Sequence, residues 1–97
     1  MTRRRYVVGY DIRQDKRLRR VHKSMKGFGY PLQYSVFICD LDAMEKTAMF
    51  EEIGAIINHA VDSVAVVDVG AADSRGQECF EFMGTRRSLP QRGPRIV

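Results

Sequence analysis

Ninety-seven residues suffice for one domain and are too few for two independent cores. A hydrophobic share of 44%, a charged share of 29%, eight glycines and three prolines are ordinary for a globular chain and exclude collagen-like and disordered classes. Net charge is a modest +4, and no apolar run approaches the ~20 residues a membrane span requires, so a cytoplasmic protein without membrane contact is expected.

Tyr6 to Ile12 is a near-continuous apolar run with β-branched and aromatic members and predicts a buried central strand. A helix follows from Asp15. Leu18, Val21 and Met25 share one face, while Lys16, Arg17, Arg19, Arg20, Lys23 and Lys26 occupy the rest. Asp15 is a candidate N-cap, and Gly27 or Gly29 a stop. Leu32 to Leu41 is extended and reads as one long strand or as two short ones joined by a bend. Asp42 with Glu45 three residues on makes a capping box for a second helix running to about Asn58. Val64 to Val69 is the next strand, 71–76 a turn, and Glu78 to Met83 a strand with Phe80 and Phe82 on one face. This order predicts an α+β, ferredoxin-like split βαβ sandwich over 1–83, an antiparallel sheet with both helices on one face. Residues 84–97 form a basic tail.

Charge is segregated along the chain. Residues 1–30 carry ten basic and two acidic side chains, 40–81 carry two basic and ten acidic, and 82–97 carry four basic and none acidic. A basic first third and tail suggest a phosphate-facing surface. Arg3, Arg4 and Arg5, with Arg86, Arg87, Arg92 and Arg95, would hold backbone phosphate without reading sequence. The acidic stretch reads as solvated. Cys39 and Cys79 form neither a disulfide framework nor a zinc pair and read as small buried residues. His22 reads as packing or surface, and His59 as a helix-end residue.

Asp11 is the sharpest chemical feature, a carboxylate near the end of an apolar strand and just before a basic helix. Burial there is costly without a partner. It pairs with Arg13 or Arg20, serves as a strand-end turn residue, or ligates a hard cation. One carboxylate per chain is a poor Mg²⁺ site, but a two-fold dimer would place two copies of Asp11 on one metal. Such a metal activates water and polarises a phosphodiester.

Tyr10-Asp11-Ile12, Arg17 and Arg20, Gly27-Phe28-Gly29 and Gln33-Tyr34-Ser35-Val36-Phe37 together resemble the second CRISPR-associated protein family, the Cas-two family. The match runs over 6–42. The resemblance implies a ferredoxin-like homodimer in which Asp11 faces its twin and binds Mg²⁺ or Mn²⁺. It further implies metal-dependent endonuclease activity on RNA or DNA, and a place at the centre of the spacer-integration complex, bridging integrase dimers and holding duplex DNA. By position Tyr10, Ser35 and Phe37 join Asp11 as catalytic-site candidates, with Arg17, Arg19, Arg20, Arg86 and Arg87 as nucleic-acid contacts. A C-terminal strand crossing to the partner's sheet is implied for Arg95-Ile96-Val97. Where some members carry a basic residue before Gln33, this chain has Tyr30-Pro31-Leu32. A non-catalytic DNA-holding scaffold is the competing function.

Overall fold

The computed structural model describes residues 2–85. Strand β1 (Arg4–Asp11) leads into helix α1 (Asp15–Met25), then β2 (Tyr30–Gln33) and β3 (Val36–Leu41). Helix α2 (Ala43–Ile56), β4 (Ser63–Ala71) and a one-turn helix α3 (Arg75–Glu78) follow. The four strands form one antiparallel sheet in the order β2-β3-β1-β4, which places the apolar β1 inside, as expected. The extended stretch resolves into two strands because Tyr34-Ser35 turns the chain.

Successive strand residues face opposite sides, and this assigns the two faces. Tyr6, Val8 and Tyr10 of β1 and Phe37, Cys39 and Leu41 of β3 join Val21 and Met25 of α1 and Met49 and Ile53 of α2 in one core. Both helices therefore pack on one side. Arg5, Val7, Gly9 and Asp11 take the other, with Ile38 and Asp40 beside them and Ala65 and Val67 on β4. Among the described residues no long helix covers this second face.

Helix α1 ends where the chain must approach β3. A Cβ on Gly29 would collide with the Ile38 carbonyl and crowd Cys39, so only glycine fits. Helix α2 starts on the capping box: Asp42 accepts from the Glu45 N–H at 2.8 Å, and Glu45 accepts from the Asp42 N–H at 2.9 Å. The cap of α1 differs from expectation. Gln14 takes the N-cap place with no side-chain capping bond, and Asp15 is the first helical residue, where its charge still suits the helix dipole.

The strand expected over Glu78–Met83 is absent. After β4 a turn at 72–74 leads into α3, and 79–85 is irregular. Phe80 and Phe82 do share a side, with ring centroids 6.5 Å apart. Alternation alone does not make a strand, since a strand also needs a ladder partner for its backbone groups. Here the chain is instead drawn back over the sheet. Arg5 Nη1 donates to the Gly76 carbonyl at 2.9 Å, and Gly76 packs so closely on the Arg5 side chain that a Cβ would clash. Cys39 is buried as expected, and burial pushes its thiol up to about 12, but Cys79 is exposed. Arg86, Arg87, Arg92, the strand expected for Arg95-Ile96-Val97 and nearly all of the basic tail lie outside the described residues.

Candidate functional site

Asp11 ends β1 opposite Ser63 of β4. Its side chain is 68% exposed at the end of the strand. The burial cost anticipated from the sequence is thus not incurred. Its partner is Arg13, with Nη2 to Oδ2 at 3.5 Å, a long contact between two solvated groups that holds neither firmly. Among the described residues no group of three His, Cys, Asp or Glu side chains gathers as a metal cage. Among the described residues Asp11 is thus an accessible carboxylate outside any three-ligand cluster, a sparse set for a hard cation.

Tyr10 precedes Asp11 and so points to the opposite side, into the core. Its ring lies 6.2 Å from that of Phe37, which is fully buried. Burial, with a smaller contribution from Tyr34, pushes the Tyr10 hydroxyl up to about 12. The phenol therefore stays protonated and meets His22 Nδ1 at 3.0 Å, donating when Nδ1 carries no proton. The Ser35 carbonyl accepts from the Tyr10 N–H at 3.0 Å, which ties the β2–β3 turn to the end of β1. The four catalytic-site candidates are thus divided. Asp11 stands on the open face, Tyr10 and Phe37 lie beneath the helices, and Ser35 sits in the turn between β2 and β3.

The basic residues sort by partner. Arg3 bonds Glu45 at 2.9 Å, Arg4 bonds Asp68 at 2.7 Å and Arg5 bonds Asp40 at 2.7 Å, the last pair fully buried. These arginines, read from sequence as phosphate contacts, are held by carboxylates of the acidic stretch. That stretch, read as solvated, supplies four such partners, because β3, α2 and β4 return it alongside β1 and α1. Arg17 is also held. Its Nε donates to Asp62 Oδ2 at 2.7 Å and its Nη2 to Oδ1 at 3.1 Å. Asp62 also accepts from the Arg13 and Asn58 N–H groups at 2.8 Å each. The Arg17 bond, then these backbone donors, hold the Asp62 carboxyl well below the usual range.

Arg19 and Arg20 differ. Both are exposed, and among the described residues neither they nor Lys16, Lys23 and Lys26 have a carboxylate within ion-pair distance. Among the described residues, the basic charge without carboxylate partners therefore lies along α1 rather than at the start of β1. Arg86 and Arg87 lie outside the described residues.

Sequence reasoning missed Asp62, Tyr34 and the Arg5–Asp40 pair. Asp62 sits in a loop with no motif around it, and only the β1–β4 register brings it to Arg17. Tyr34 occupies the variable place of the Gln-x-Ser-Val-Phe run. Its exposed ring lies 6.2 Å from the His22 ring at 23°.

Comparison with known proteins adds the following. The family described as CRISPR associated protein Cas2 matches residues 4–75. A CRISPR-associated endoribonuclease Cas2 of Geobacter sulfurreducens is 48% identical over 69 residues, covering 71% of this chain and 73% of the relative. One from Rhodospirillum rubrum is 44% identical over 68 residues, covering 70% and 67%. The crystal structure of Streptococcus pyogenes Cas2 at pH 6.5 superposes with a TM-score of 0.73 at 28% identity, covering 82% of this chain and 99% of that one.

Proposed function

This chain belongs to the CRISPR associated protein Cas2 family, and from that premise we propose that it is a homodimeric nucleic-acid-binding subunit of CRISPR adaptation that cleaves phosphodiesters in RNA or DNA with a divalent metal. The observation that carries the reading is the place of Asp11, an accessible carboxylate at the end of a sheet face that bears Val7, Ala65 and Val67. Val67 is 53% exposed. A second copy stacked on this face would bury that apolar surface and bring the two Asp11 carboxylates toward the same axis. Together they would hold Mg²⁺ or Mn²⁺, which supplies charge neutralisation and water activation at a phosphodiester. Arg19 and Arg20 would hold the substrate's backbone, while Tyr10 and Phe37 stiffen the strand end from beneath. Relatives named as endoribonucleases support the chemistry.

The test is cleavage of single-stranded RNA and of duplex DNA by the purified dimer, with and without Mg²⁺. Asp11→Ala is expected to lower metal-dependent cutting by roughly a hundredfold or more while leaving the dimer intact. Equal cutting by the variant would remove Asp11 from the chemistry.

A second reading is a non-catalytic scaffold that holds duplex DNA and bridges integrase dimers. It is favoured by the bareness of Asp11's surroundings, where among the described residues Arg13 is its ion-pair partner and no metal cage forms. In that case spacer integration survives Asp11→Ala and fails when Arg19 and Arg20 are neutralised.

A further inference from the structure

We propose that the hollow between α1 and the β2–β3 turn binds one unpaired nucleotide of a single strand, with the base on Tyr34 and the adjoining phosphates on Arg19, Lys23 and Lys26. The proposal rests on the reading above that the chain binds nucleic acid, and it names the place and the strandedness. The hollow encloses ≈ 550 Å³ and is lined by Leu18, Arg19, His22, Lys23, Lys26 and Tyr34. That is within the size of small-ligand sites, roughly 300–1,000 Å³.

Tyr34 is 74% exposed, and a single exposed tyrosine ordinarily needs no explanation. This one is braced from the core outward. Its ring lies against His22, and His22 stands edge-on to the buried Phe37 at 5.4 Å and 70°. The Tyr10 hydroxyl fixes the His22 ring at Nδ1. A ring held in this way loses little freedom when a base stacks on its open side. The rim is cationic. Arg19, Lys23 and Lys26 follow one another at i, i+4 and i+7, hence along one side of α1. Among the described residues they lack carboxylate partners, whereas Arg3, Arg4, Arg5, Arg13 and Arg17 have them. An aromatic platform beside a line of unneutralised cations is the chemistry that holds single strands with little regard to sequence. A stacked duplex offers no free base face to Tyr34.

The chain contains no tryptophan, so Tyr34→Trp places a lone indole at the stacking position. The probes are a pentamer of oligothymidylate, a pentamer of oligouridylate and an abasic deoxyribose-phosphate pentamer of equal charge. Thymidylate or uridylate should quench the indole, the abasic pentamer should not, and the preferred sugar separates DNA from RNA. The native chain should bind a base-bearing pentamer about tenfold or more tighter than the abasic one. Tyr34→Ala should erase that preference and Tyr34→Phe should keep it. Lys23→Ala with Lys26→Ala should flatten the slope of log affinity against log salt by roughly 0.7 per lysine. Equal affinity of the native chain and Tyr34→Ala for thymidylate and uridylate overturns the site. Duplex binding and Asp11-dependent cleavage, measured on the same preparations, separate the two readings. If they persist while Tyr34→Ala has no effect, the nucleotide site alone falls. If no nucleic acid binds at all, the proposed function falls with it.

Discussion

At the residue scale, the structure turns on two ion pairs of different character. Arg5 and Asp40 face each other directly across β1 and β3, and both side chains are fully buried. Such a pair adds little net stability when complete, but each half is costly to leave alone. Asp40→Ala is expected to destabilise the fold by about 3–5 kcal/mol in denaturant titration, because it leaves the buried Arg5 charge without its opposing carboxylate. Replacing both with apolar residues should recover much of that loss. The Arg17–Asp62 pair gives a pH signature instead. Asp62 is lowered first by its bond to Arg17, then by the backbone bonds of Arg13 and Asn58. A depressed carboxyl contributes stability that is fully present above its unfolded value of about 3.9 and is lost as pH falls toward the folded one. The native chain should therefore lose stability in acid below about pH 4, and Asp62→Asn should flatten that limb while lowering the plateau at neutral pH. Thermal melts between pH 2 and 7 would check both features. Neither pair was legible in the sequence, because each joins residues at least 35 apart through strand register alone.

At the scale of the elements, local chemistry is well expressed. The apolar run of β1, the one-sided stripe of α1 and the Asp42–Glu45 capping box each appear where the residue pattern places them. Asp42→Ala removes one side of that box and should cost about 1 kcal/mol, a fall in melting temperature of roughly 4–8 °C for a domain of this size. The stop of α1 is legible as well, since Gly29 is required where the chain passes β3. The end of the domain was not legible. Phe80 and Phe82 carry a strand's alternation, yet Arg5 reaches Gly76 and diverts the chain into α3. An alternating segment becomes a strand only where a neighbouring edge is offered to it.

At the scale of the whole molecule, the helices cover one face of the sheet and leave Val7, Ala65, Val67 and Asp11 on the other. If this face is the dimer interface, Val67→Glu should place two like charges in it and shift sedimentation from dimer to monomer without unfolding the domain. A native chain that sediments as a monomer would remove the shared-metal reading as well. The net +4 conceals a division of labour. Part of the basic charge is neutralised within the fold by Asp40, Glu45, Asp62 and Asp68, whereas among the described residues Arg19, Arg20 and Lys23 of α1 have no carboxylate partner.

By itself the sequence determined the class of the fold, the order of the strands and helices through β4 save for the division of β2 from β3, and the prominence of Asp11, because strand and helix periodicity and capping are properties of neighbouring residues. The Tyr10-Asp11 and Gln33-to-Phe37 runs likewise sufficed to place the chain in its family. Only the tertiary structure decided which charges are neutralised, that Tyr10 and Asp11 serve opposite faces, and that His22 braces Tyr34 beside cations that lack carboxylate partners among the described residues. Those facts depend on which distant residues the sheet register brings into contact, and no local pattern encodes a contact between residues so far apart in the chain.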